Sequence, residues 1–71
     1  MMRVKDLIAK LYELNQDDSV VIIGSDSEGN SFSPIDDITI GHYTPETECS
    51  GYPVDEDFEP AIPAIFIYPI K

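Results

Sequence analysis

The first apolar spacing along the chain is helical. Val4, Leu7, Ile8, Leu11 and Leu14 fall at i, i+3, i+4, i+7 and i+10, one stripe of an amphipathic helix over residues 3–14. Lys5, Asp6, Lys10 and Glu13 lie off that stripe, and Asp6 with Lys10 forms an acid-to-base pair at i,i+4. The polar cluster "NQDDS" (15–19) ends the helix. Period then gives way to composition. "SVVIIG" (19–24) is a short β-branched run between turn residues, which predicts a strand buried on both faces or nearly so. "DITIGHY" (37–43) alternates, with Ile38, Ile40 and His42 on one side and Thr39, Gly41 and Tyr43 on the other. In "AIPAIFIYPIK" Ile65 and Ile67 oppose Ala64, Phe66 and Tyr68, and Pro63 and Pro69 point to an edge position at the ends of that strand.

These elements predict an α+β fold in the order α-β-β-β. One N-terminal helix packs on a three-stranded, mainly antiparallel sheet. Leu7, Ile8 and Leu11 would meet Val20 or Val21, Ile38, Ile40 and the C-terminal isoleucines. Residues 1–71 form a single domain without internal repeats. Its size is near the lower limit for a core unaided by staples, and leaves about 3–5 kcal/mol of net stability. Within it, residues 44–60 ("TPETECSGYPVDEDFEP") carry three prolines and six acids with no strand pattern, and are expected to form one long acidic loop.

Charge changes this picture most. The chain holds 14 acids against 4 bases, a net −10. Arg3, Lys5 and Lys10 against Asp6 make the first ten residues locally +2. Residues 11–70 then hold 13 acids and no lysine or arginine. Phosphate recognition relies on such cations, so direct nucleic-acid binding and anionic membrane are poor expectations. A basic protein surface or a metal cation is permitted. The opening "MMRVKDLIAKLYEL" breaks any signal-peptide core with charge, and no apolar run is of membrane-spanning length, so the expected compartment is cytoplasmic. Cys49 is the sole cysteine, in keeping with a reducing compartment and with a loop thiol that has no role.

The stretch "GSDSEGNSFSPIDD" (24–37) approaches a calcium loop and fails. With Gly29 at position 6, Asp26 and Glu28 take positions 3 and 5, but Gly24 and Ile35 stand where the two strongest ligands belong. An irregular cation site at Asp26, Glu28 and Asn30 is the weaker alternative. A hairpin connection between two strands explains more: "EGN" tolerates positive φ, Phe32 folds back as an apolar anchor, and the acids face water. No other chemistry is complete. His42, the lone histidine, reads as a sheet-edge or half-buried side chain, without a nucleophile at readable spacing. Asp36 and Asp37 are neighbours that a strand turns to opposite faces. No catalytic residue, metal site or cofactor is expected, and the chain reads as a non-enzyme.

What remains is a contact surface. Residues 43–59 mix Tyr43, Tyr52 and Phe58 with Glu46, Glu48, Asp55, Glu56, Asp57 and Glu59, a pattern suited to a basic, partly apolar partner. A mobile acidic loop is the competing account.

The segment "VKDLIAKLYELNQDDSVVI", with "SDSEGNSFSPIDDI" and the "Y-x-P-E" of Tyr43, Pro45 and Glu46, resembles small accessory proteins of bacteriophages and prophages. In those a "K-x-L-I-x-x-L" helix leads through an acidic turn into a β-branched strand. The resemblance covers residues 3–46. It implies a host cytoplasmic setting and a protein that binds and redirects or blocks host machinery, defence systems included. In its sharpest form the carboxylates imitate the phosphates of DNA. The alternative from another class is a structural module that forms a homodimer or extends a partner's sheet through an exposed strand edge.

Overall fold

The computed structural model describes residues 1–15 and 17–69. One helix, α1 (Val4–Leu14), precedes four strands: β1 (Val20–Ile23), β2 (Ile35–Pro45), β3 (Gly51–Val54) and β4 (Ile62–Pro69). Among the described residues no helix is long and apolar enough to cross a membrane.

The helix forms where its stripe predicts. The Asp6 carboxylate accepts the Arg3 backbone N–H at 3.0 Å, which satisfies a donor that the first turn leaves open. Asn15 ends the helix in the left-handed region (φ 51°), donating its N–H to the Leu11 carbonyl at 3.3 Å. Its packing departs from expectation. Leu7 and Leu14 are half-buried, whereas Val4 and Ile8 stand largely in solvent and no helical residue is fully buried. Leu11, expected in the core, is also exposed, and the close contacts between elements run strand to strand, so α1 does not pack across the sheet as its stripe predicts.

The sheet has four strands, not three, and is mixed. Its order is β1-β4-β2-β3, curled as a half-barrel. β1 runs parallel to β4, with Val21 beside Ile65 and Ile23 beside Ile67. β4 is antiparallel to β2, and β2 to β3. Two sequence expectations fall together here. "SVVIIG" does not make the doubly buried strand; β1 is an edge, with Val21 63% and Ile23 76% exposed. The doubly buried strand is β4, where the consecutive residues Ala64, Ile65 and Phe66 are all covered. Both runs have strand composition, but β4 is twice as long and carries Phe66 and Tyr68, so it occupies the middle and collects a neighbour on each side. Because β1 reaches only Ala64–Ile67, Pro63 and Pro69 sit where β4 has one neighbour, and their missing N–H groups cost the ladder little.

The core is thin. Ile38, 1% exposed, shares a sheet face with Ile65 and Ile67; on the other face the Phe66 ring lies over Gly41, where a Cβ would come within 3.1 Å of it, and stacks with Tyr68 at 6.3 Å. Ile40, expected in the core, is half exposed.

Candidate functional site

The 44–60 segment is ordered into a hairpin arm, which corrects the expectation of a long loop. Thr44 and Pro45 continue β2. A tight turn follows, in which the Glu46 and Thr47 N–H groups donate to the Ser50 carbonyl at 2.9 and 3.0 Å. The Thr47 and Ser50 hydroxyls meet at 2.7 Å, and Cys49, exposed, donates its N–H to Thr47 Oγ1. β3 then pairs with β2, Tyr52 against Thr44 and Pro53 against Tyr43. A second turn holds Phe58 N–H on the Asp55 carbonyl at 3.0 Å, and the Glu59–Pro60 bond is cis. The prolines obscured this strand in sequence. An edge strand accepts Pro53 because a residue facing solvent needs no donor. Gly51 has its own reason: a Cβ there would lie 2.3 Å from the Thr44 carbonyl oxygen and 2.4 Å from the Tyr43 hydroxyl. The Tyr43 ring therefore closes down on a strand that only glycine allows so near.

This arm distributes the nine expected contact residues into three places. Glu46 and Glu48 are exposed on the first turn; Asp55, Glu56, Asp57 and Glu59 are exposed on the second. Between them lies β3, roughly 13 Å of strand at about 3.3 Å per residue. Tyr52 and Phe58, each about half exposed, meet edge to face across the second turn, with ring centres 6.5 Å apart and planes at 70°. Around Phe58 the second turn forms an open hollow lined by Glu56, Asp57 and Glu59. Tyr43, also expected as a contact residue, is half-buried and packs on Gly51.

The sequence reading missed a groove. The arm, from Tyr43 to Pro53, and β1 with its exit, from Val21 to Ser25, together line a depression of about 610 Å³ that also takes in Phe66 and Tyr68. Aromatic alternation in "FIY" is the one signal that pointed there. The arm thus offers carboxylates at its tips and an apolar hollow at its root.

The 24–34 connection is not a hairpin, because β4 lies between β1 and β2. It is nevertheless organised, and around one carboxylate. Asp26 accepts the Glu28 N–H at 2.7 Å and the Ser33 hydroxyl, while its carbonyl accepts the Gly29 N–H at 3.1 Å, with Gly29 at φ +75°. The Ser33 hydroxyl, then the Glu28 N–H, hold the Asp26 carboxyl below its ordinary pKa. Its oxygens are thus engaged by internal donors, and among the described residues no group of three or more His, Cys, Asp or Glu side chains gathers as metal ligands would. Phe32 is no anchor; it is 95% exposed. Asp36 and Asp37 sit at an irregularity in β2, where Asp37 accepts the Ile38 N–H at 2.8 Å. His42 is half-buried, between Val54 and Pro63.

Comparison of the chain with family models, with curated proteins and with solved structures finds no match.

Proposed function

We propose that this chain is a non-enzymatic binding protein of the phage type, acting in the host cytoplasm on a host protein with a basic surface. The observation that carries the reading is the β3 arm: six exposed carboxylates on two turns around the Tyr52–Phe58 pair, in a chain with no lysine or arginine from residue 11 to residue 70. Long-range attraction from the carboxylates steers a cationic partner and sets its orientation. Short-range affinity comes from the aromatic pair and the groove beside it, since buried aromatic anchors dominate binding energy. In the narrower form of the proposal, the two acidic turns stand in for DNA phosphates and fill a nucleic-acid-binding cleft on host defence or nucleic-acid machinery.

The test is affinity for a basic partner, retained from bacterial lysate and then purified, across a salt series. Attraction between exposed charges weakens as the Debye length contracts from about 30 Å at 0.01 M to about 8 Å at 0.15 M salt. Affinity falling at least about tenfold across that range supports the reading. Affinity that stays flat removes the electrostatic account. For the DNA-mimic form, duplex DNA should compete with this chain for the partner.

A second reading, a structural module that pairs through a sheet edge, is favoured by a different feature, the apolar and exposed β1.

A further inference from the structure

We infer that the groove between β1 and the β3 arm takes an extended segment of the basic partner. That segment adds a strand to β1 and carries lysine or arginine on both sides of an apolar middle. This rests on the basic-partner reading and names the part of that partner that enters the same site.

The backbone selects an extended chain. The Gly24 N–H donates to the Ile67 carbonyl at 2.8 Å, so Gly24, Ile22 and Val20 turn their peptide groups toward β4. By alternation Val21 and Ile23 turn theirs away from the sheet, and β1 is its margin, so no strand lies beside them. Residues 21–25 are at the same time one side of the groove. A ligand there meets a row of backbone donors and acceptors at strand spacing, which another strand matches and a compact molecule does not. Soluble proteins blunt such an edge with charge or proline, and residues 19–25 hold neither.

The walls select apolar side chains in the middle of the segment. Strand register puts Ile22 on the same sheet face as Phe66, and Tyr43 and Pro53 share that face from the arm. Every second side chain of an added strand would lie over this face. The others would lie beside Val21 and Ile23, both largely in solvent, where apolar cross-strand neighbours are favoured. At about 610 Å³ the groove has the size of an ordinary ligand cleft.

Charge selects the ends. Asp17 and Asp18 precede β1 and Asp26 follows it, while Glu46 and Glu48 stand on the turn whose Cys49 and Ser50 line the groove. No lysine or arginine from residue 11 to residue 70 offsets them. Cationic residues on either side of the added strand are therefore attracted at both ends of β1. The same charges reject a second copy of this chain. Pairing β1 with itself about a two-fold axis would set Asp18 of each copy against Asp26 of the other, acid on acid.

The test is calorimetric titration of the whole chain with a synthetic peptide that has two lysines on each side of a short valine and isoleucine middle. One control peptide replaces the lysines with glutamates; the other is N-methylated throughout its middle and cannot pair as a strand. The lysine peptide should bind at least about tenfold more tightly than either control, and Ile23→Lys should weaken it by at least about tenfold. Amide hydrogen exchange on the unaltered chain needs no variant: Val21 and Ile23 should gain protection as the lysine peptide saturates. No binding at millimolar peptide, equal binding of either control, or Val21 and Ile23 amides unprotected at saturation would each overturn the inference. Protection that rises with the chain's own concentration, without peptide, would give the edge to a second copy and overturn it too. A purified partner whose salt-dependent affinity survives Ile23→Lys overturns this inference alone and leaves the basic-partner reading standing. Partner affinity flat in salt removes that reading and this inference with it.

Discussion

The two margins of the sheet solve the same problem in opposite ways. β3 is guarded: proline in the strand, glycine locked under Tyr43, and acids on the turn at either end. β1 is open: neutral, β-branched, and largely in solvent on the side chains that flank its outward peptide groups. The guarded edge resists pairing with another strand, which on the proposed reading leaves it to recognise a partner by charge and aromatic contact. The open edge has no charge or proline to protect its outward peptide groups. The two margins are nevertheless not remote, because β1 and the β3 arm line one groove with Phe66 and Tyr68.

The largest expected difference between the margins is in stability. Gly51→Ala drives a methyl group into the Thr44 carbonyl and the Tyr43 ring, and should cost about 1–3 kcal/mol or more, a large share of what so small a core leaves. Ile23→Ala, at a mostly solvated position, should stay within about 0.5 kcal/mol of the parent. Urea denaturation of both variants measures the contrast, and equal losses would erase it.

Next in size is Phe58→Ala. It removes the edge-to-face contact with Tyr52, worth about 0.5–1.5 kcal/mol beyond burial, and should weaken the basic partner by up to about tenfold. Calorimetric titration of the partner with parent and variant reads the effect. An affinity equal to the parent's would remove the aromatic pair from the contact.

The smallest effect sits between the margins, in the connection that follows β1. The Asp26 carboxyl is held below its ordinary pKa by donors present only in the folded chain, so the ionised form favours the fold. That contribution is in force at neutral pH, above the unfolded value, and is lost as pH falls through the folded one. Asp26 is solvent-screened, so a modest decline in thermal midpoint below about pH 4 is expected. It should be blunted in Asp26→Asn, whose amide cannot titrate. A parent and variant with the same acid profile would assign the acid response to other carboxylates.

The sequence made α1 legible because its i, i+3, i+4 spacing is set locally, and Asp6 and Asn15 stand at its ends. It made β2 legible because Ile38 and Thr39 alternate across a half-buried face, although the strand runs further at both ends. Position in the sheet was not legible. "VVII" and "AIFI" are both short apolar runs of strand character, and which of them lies in the middle depends on β4 finding partners on both sides, a property of the whole fold. β3 was hidden by Pro53 and Gly51, which argue against a central strand and not against an edge. The proposed contact residues stand out in the sequence as aromatics among carboxylates. Their division between two turns was not legible, since it depends on the strand that joins them. Tyr43's role under Gly51 leaves no trace in spacing at all.

The central claim is that the β3 arm, and not net charge at large, recognises the basic partner. The most direct measurement compares two variants with the same charge removed. One neutralises Glu46, Glu48, Asp55 and Asp57 to their amides; the other does so at Asp17, Asp18, Glu28 and Asp36, exposed carboxylates outside the arm. Titrated with the partner at physiological salt, the first should lose at least about tenfold in affinity and most of the salt dependence, and the second should keep both. Equal loss in the two would show that the partner reads only the total charge, and the arm would hold no site.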